Sequence, residues 1–368
     1  MSLPRSTSLL AVLCALALAA TASADSDAPP LTTAGGDRMV VAWAESRDDD
    51  GSAIRLAEAS AAGGIGEAQT VVRGASGRLV LAGVGRSAAG EVLVIWQRFP
   101  SQPEGGPPRS VVEAALRPPG GAFGPVQVLS SIAADAFPPA VAGLGERGDA
   151  VVAWSEGGRV HVAARPPGGA FAEAPAPPDL GRPLGVGVSR DGELVLAGDR
   201  RCDPFCDAFG AALRPAGGEF GPASRLGREQ GQPDRDVVAM GPRGDAAAVT
   251  AGRNPAAALV ARRPRGGDFA PAEQLDPASP GSTGAGVTET GETVVAWSRA
   301  PAAGVFASSA RPGEPFAAPQ PLTEAVAAAV QLGVAGDGAA MAAWSVFHEG
   351  VWVARRAPGA AFGPPVEV

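Results

Sequence analysis

The chain has 368 residues, and its 30 cations are all arginine, set against 38 acidic residues for a formal net charge of −8. That balance excludes a broad electrostatic footprint for nucleic acid or for an anionic membrane. The length exceeds the ~250–300 residues that one hydrophobic core organises, leaving several domains or one repetitive architecture as the choice.

The N-terminus reads as a secretory signal over residues 1–24. Arg5 supplies the positive charge, residues 9–20 form a continuous apolar run, and Ala22, Ser23 and Ala24 fit a small-residue cleavage site. The run is too short to span a membrane of about 20 residues, and no second one follows, so no membrane insertion is expected. Cys14 follows Leu13 rather than a small residue, which argues against a lipid anchor. The mature chain is expected outside the cytoplasm, extracellular or periplasmic. The abundance of Ala, Gly and Pro without lysine fits a GC-rich bacterial coding sequence. Further on, Asp48, Asp49 and Asp50 precede Gly51. They read as an Asp-Gly hairpin turn, because the spaced oxygen ligands of a calcium loop are missing.

One short motif then recurs. "RPPGGAFGP" at Arg117 returns in five variants that place Phe123, Phe171, Phe220, Phe269, Phe316 and Phe362 at steps of 48, 49, 49, 47 and 46 residues. A degenerate copy at Ile65 makes seven. A second marker precedes each copy, ending in Trp43, Trp96, Trp154, Trp297 and Trp344, with Gly198 and Thr250 in the fourth and fifth repeats. The third repeat resolves into four short strands. These lie over 140–144, 150–154 and 159–165 and after Phe171, joined by turns at 145–148, Gly157-Gly158 and 166–169. Four antiparallel strands per period of this length predict an all-β, seven-bladed β-propeller of four-stranded antiparallel blades. Its repeats fall near 29–73, 78–130, 138–180, 182–227, 234–276, 282–323 and 328–368. Runs such as Val92 to Trp96, apolar on both faces, suit strands sandwiched between blades, and Gly-rich first strands suit crowding near a central axis. A β-solenoid or a pair of sandwiches would not repeat one motif this regularly. Whether the segment at Leu31 completes the last blade is left open by the pattern.

In the turn before the last strand, the repeats resemble the Asp-box of secreted bacterial sialidase-like propellers. Gly120, Gly168, Gly217, Gly266, Gly313 and Gly359 stand three residues before their phenylalanines, as that box requires, while its aspartate position holds Pro118, Pro166, Pro215, Pro264, Arg311 and Ala357. The resemblance implies a propeller fold, although propellers of that type have six blades. It also implies a tyrosine nucleophile, and this chain contains no tyrosine.

The loops between second and third strands carry Arg47, Arg98, Arg159, Arg200, Arg253 and Arg299, with His348 in the seventh. Gathered at one mouth, they would bind carboxylate, sulfate or phosphate by charge-assisted hydrogen bonds, although hairpin loops are also where charges ordinarily lie. At the opposite end, Arg117, Arg165, Arg214, Arg262, Arg311 and Arg355 are expected to pair within their own repeats with Glu91, Asp149, Glu193, Asp245, Glu292 and Asp337. Such exposed pairs are worth about 0–1 kcal/mol each. Two insertions break the repeat: "RFPSQPEGGPPRSV" over residues 98–111, and "DRRCDPFCDAFG" at Asp199, where Cys202 and Cys206 are expected to form a disulfide that presents Arg201 and Phe205. With His161 and His348 the mature chain's only histidines, two cysteines do not complete a zinc site. No metal and no cofactor is expected. The leading reading is a monomeric binding module for an anionic oligosaccharide or an extracellular protein. The alternatives are a carbohydrate-active enzyme using Glu45, Glu156 and Asp199, or a structural propeller without a small ligand.

Overall fold

The computed structural model describes residues 31–35, 38–47, 51–60, 66–74, 77–100, 110–131, 140–200, 208–226, 237–253, 256–278, 280–299, 304–346 and 350–367. The signal segment, Asp48 to Asp50, most of the first insertion, Cys202, Cys206 and His348 lie outside them. The described residues form seven four-stranded antiparallel sheets, each built from four consecutive strands, over 31–73, 78–128, 141–174, 180–225, 237–276, 280–323 and 327–367. They are numbered here sheet 1 to sheet 7. Two compact units result, one holding sheets 1 and 2, the other spanning Ala140–Glu367 with sheets 3 to 7. Leu31–Gly35 is the first strand of sheet 1 and pairs with Arg38–Arg47, so it does not complete the last sheet. No helix among the described residues is long and apolar enough to cross a membrane.

The second strand of each sheet carries much of the apolar core, and within each unit it packs against a neighbouring sheet. In Val92–Phe99, every side chain from Val92 to Gln97 is buried. Val92, Val94 and Trp96 pack with Val40, Ile54 and Leu56 of sheet 1, and burial of each large apolar side chain stabilises by ~1.5–3 kcal/mol. Within the second unit, equivalent apolar clusters join sheets 3 to 4, 4 to 5, 5 to 6 and 6 to 7.

The glycines of the first strands let the first strand of the next sheet approach closely. A Cβ on Gly187 would lie 2.6 Å from Met240 Cβ, and one on Gly286 would lie 2.4 Å from Val334 Cγ2. Gly198, which replaces tryptophan in sheet 4, has a related cause. The first strand of that sheet is bulged over it, so a Cβ there would meet Arg182 O at 2.1 Å.

The repeated turn is built on its glycines. Gly120 and its equivalents adopt φ of 66–77°, and Gly121 N donates to Pro118 O while Gly124 N donates to Leu116 O. An arginine then locks the turn. Arg165 Nε donates to Gly169 O at 2.8 Å and Arg263 Nε to Gly267 O at 2.7 Å, with their Nη1 atoms on Gly148 O and Gly244 O in the first hairpin of the same sheet. Arg356 Nε likewise donates to Ala360 O at 2.6 Å. These arginines are buried rather than exposed, and the carboxylate partners of Arg263, Arg356 and Arg117 sit on the preceding sheet rather than in the same repeat. Arg263 reaches Glu193, Arg356 reaches Glu292 and Arg117 reaches Glu58. The residues that do this in sheets 5 and 7 are Arg263 and Arg356, one position beyond Arg262 and Arg355 of the sequence reading.

Sheet 6 lacks the latch, since Ala310 occupies its position. There Arg262 of sheet 5 donates to Arg311 O at 3.1 Å and Glu314 O at 2.7 Å, pairs with Glu273, and lies 4.9 Å over the Phe316 ring. Glu314 is the counterpart of Gly169, Gly267 and Ala360, so the same carbonyl receives a guanidinium from a different sheet.

Two outcomes follow for urea unfolding of the purified protein. Gly286→Val is expected to cost about 1–3 kcal/mol by overpacking against Val334. Arg262→Ala is expected to cost about 1.5–3 kcal/mol through orphaned carbonyls, and adding Ala310→Arg should restore most of it by installing the missing latch, a coupling read by a double-mutant cycle.

Candidate functional site

The backbone places Arg47, Arg98, Arg159, Arg200, Arg253 and Arg299 alike, each at the hairpin between the second and third strands of its sheet. The side chains of Arg47, Arg200 and Arg253, and all of His348, lie outside the described residues. Arg159 is exposed. Arg98 and Arg299 each hold a buried carboxylate that also receives a tryptophan. Trp96 Nε1 donates to Glu113 Oε2 at 2.7 Å while Arg98 Nη2 donates to Oε1 at 2.5 Å, and Glu113 stands directly across the strands from Trp96. Trp297 Nε1 and Arg299 Nε donate to Asp276 Oδ2 at 2.9 and 2.8 Å. Asp276 belongs to sheet 5, so this cluster ties the end of one repeat to the core of the next. Arg299 also lies 4.0 Å over Phe306, whose ring stacks on Trp297.

The carboxylates considered for catalysis are likewise engaged. Asp199 Oδ2 accepts from Arg182 Nε at 2.7 Å, Glu156 Oε2 accepts from Trp154 Nε1 at 3.2 Å, and Glu45 lies 4.0 Å from Arg55 Nε. Trp154 stacks on His161 at 5.7 Å, which gives that histidine a place in the packing. Among the described residues no group of three or more His, Cys, Asp or Glu side chains is arranged to hold a metal.

Burial raises the pKa of Asp276, but hydrogen bonds from Arg299, Ala278 N and Trp297, with the Arg299 charge, outweigh it and hold the carboxyl below its ordinary value. Asp149 is the opposite case. Its counterparts before the second strand, Glu193 and Glu292, reach the arginine of the next sheet, while this aspartate is one methylene too short for Arg214. Asp149 Oδ1 and Arg214 Nε are buried without a hydrogen-bond partner. Burial pushes the Asp149 carboxyl up against the pull of Arg147 and Arg214, and pushes Arg214 down.

At the turn end, two grooves recur at one place in the repeat, between the outer strands of a sheet and the turn of the next. The groove between sheets 1 and 2 has a volume of about 930 Å³ and is lined by Glu58, Glu67, Gln69, Arg86 and Arg117. That between sheets 6 and 7 has about 470 Å³ and is lined by Glu292, Ser309, Glu314, Gln320 and Arg356. Gln69 and Gln320 each open a fourth strand, opposite Leu56 and Ala307. In sheet 5 the matching pair is Glu273 opposite Val260, and Arg262, two residues beyond Val260, turns into the space and pairs with Glu273 at 2.7 Å. Glu58 and Ser309 stand at that same position. The side chain there decides whether the space between sheets is filled. Sequence reading passed over Gln69, Gln320 and Glu67. The glutamine that opens a fourth strand where sheet 5 has glutamate was the available signal.

Asp276 sets a pH dependence with a defined sign. Its pKa is depressed in the folded state, so its contribution is present above the unfolded carboxyl value of ~3.9 and is lost as pH falls through the folded value. The stability difference between the protein and its Asp276→Asn variant should therefore be full at neutral pH and shrink below about pH 4 in acid unfolding curves.

No family model matches the chain, and no curated protein sequence does. Solved structures similar to it include three propeller-sized proteins. A Hadza microbial sialidase is 12% identical, with TM-score 0.49, over 80% of this chain and 71% of that one. Virginiamycin B lyase from Staphylococcus aureus is 10% identical, with TM-score 0.48, over 80% and 85%. The six-bladed propeller lectin of Aleuria aurantia is 10% identical, with TM-score 0.45, over 79% and 96%.

Proposed function

We propose that the chain is an exported seven-bladed β-propeller whose sheets are the blades, and that it serves as a binding module for oligosaccharide. The observation that carries this reading is the recurrence of a groove bearing charged and amide side chains at one position of the repeat, with volumes of about 930 and 470 Å³. Small-ligand pockets span roughly 300–1,000 Å³. Binding is favoured over glycoside cleavage because Glu45, Glu156 and Asp199 are held by partners in their own sheets. Cleavage after residue 24 and a Cys202–Cys206 disulfide belong to the same proposal, since an exported chain meets an oxidising compartment. The ring of Arg47, Arg98, Arg159, Arg200, Arg253, Arg299 and His348 is the alternative address for an anionic ligand, favoured by the exposure of Arg159.

A thermal-shift screen of the purified protein against neutral and acidic oligosaccharides, phosphate and sulfate tests the reading. A ligand at a hundred times its Kd stabilises by ~2.7 kcal/mol. Stabilisation by an oligosaccharide is the expected result. A shift confined to acidic sugars and lost in Arg159→Ala would put the seat at the arginine ring, and no shift with any oligosaccharide overturns the proposal.

A further inference from the structure

We infer that the junction of sheets 3 and 4, at the turn end, binds a phosphate group that keeps a hydroxyl, between Arg147, Asp149 and Arg214. The inference is independent of the oligosaccharide reading. Arg214 ends the third strand of sheet 4, where Arg165, Arg263 and Arg356 of sheets 3, 5 and 7 each donate to the turn carbonyl of their own sheet. Arg214 makes no hydrogen bond and no ion pair among the described residues; its guanidinium lies 5.6 Å over the Phe220 ring. The carboxylate in line for it is Asp149 of the first hairpin of sheet 3, one methylene too short. Asp149 Oδ1 and Arg214 Nε are therefore left buried and unpartnered on the two sides of one junction.

Arg147 is the third member. It is exposed and likewise makes no hydrogen bond or ion pair among the described residues. A Cβ on Gly192, in the first hairpin of sheet 4, would lie 3.7 Å from Arg147 Nη2 and 3.6 Å from Asp149 Oδ2, so both side chains cross to that hairpin. Arg147 and Arg214 both act on the Asp149 carboxyl. The other charges of these hairpins are engaged: Glu146 with Arg190, Asp191 with Arg265 and Glu193 with Arg263.

Two guanidinium groups and one carboxylate leave one positive charge, which selects an anion. The carboxylate then selects among anions. Sulfate offers acceptors alone and would set its charge against Asp149. Phosphate near neutral pH keeps at least one O–H. That O–H donates to the Asp149 carboxylate while the other oxygens accept from Arg147 and Arg214, so donors meet acceptors on each side.

The experiment is isothermal titration of the purified protein with inorganic phosphate, glycerol phosphate and sulfate at about pH 6, near the second pKa of a phosphate ester. The two phosphates separate a free ion from an esterified group. At least one of them is expected to bind tenfold or more tightly than sulfate. Asp149→Asn, which brings a donor to the same place, should remove that preference, and Arg214→Gln should weaken phosphate about tenfold or more. Asp149→Glu supplies the missing methylene. It should pair with Arg214 as Glu193 pairs with Arg263, raise the urea midpoint and abolish phosphate binding, a combination that a merely structural role would not give. Sulfate bound as tightly as phosphate, phosphate binding that survives Arg214→Gln or Asp149→Glu, or no binding of either phosphate overturns the inference, and none of these results bears on the oligosaccharide reading.

Discussion

In sheets 3, 5, 6 and 7 the glycine-rich turn before the fourth strand presents a backbone carbonyl to a guanidinium, and the packing at that end of the sheets is organised around this contact. In sheets 3, 5 and 7 the arginine at the end of the third strand supplies it, and in sheets 5 and 7 the same side chain continues to a glutamate of the preceding sheet. The ion pairs contribute little net energy, since desolvation offsets most of their attraction, but a pair broken on one side leaves a buried charge and costs about 3–5 kcal/mol. The cross-sheet pairs of Arg263 with Glu193 and of Arg356 with Glu292 therefore tolerate the loss of neither partner alone. Sheet 6 shows the requirement operating through another residue. With Ala310 at the latch position, Arg262 crosses from sheet 5 to meet the same carbonyl.

The two ends of the sheets differ for a related reason. At the tryptophan end, the buried indole N–H groups of Trp96 and Trp297 find acceptors in Glu113 and Asp276, while those of Trp43 and Trp344 have none among the described residues. Each carboxylate then needs a cation, which draws in Arg98 and Arg299. At the turn end, the latches satisfy the backbone, and space is left between sheets 1 and 2 and between sheets 6 and 7, where the position before the latch holds Glu58 and Ser309 rather than a long cation. The grooves are thus by-products of how the arginines are spent, and Arg117 and Arg356 border them.

Much of this was legible in the sequence. The phenylalanine ladder, the Trp marker and the Gly-Gly turns specified the number of sheets, their four strands and their antiparallel order, because period-two burial and positive-φ glycines are local properties that leave marks at fixed spacing. Arg98 and Arg299 could be placed at one end of their sheets for the same reason. Their partners could not be read. Glu113 is 15 residues from Arg98, and Asp276 lies on a different repeat from Arg299.

What the sequence by itself determined is therefore the repeat: where strands begin, which turn closes them, and which positions carry arginine. Only the tertiary structure decided which carboxylate each arginine meets, that Glu193 and Glu292 serve the next sheet rather than their own, and that Glu58 and Ser309 leave a groove open where Arg262 closes one. The physical reason is reach. A repeat pattern constrains neighbours along the chain through backbone geometry, whereas pairing across sheets depends on a side-chain length of one methylene, as Asp149 and Glu193 demonstrate at the same position.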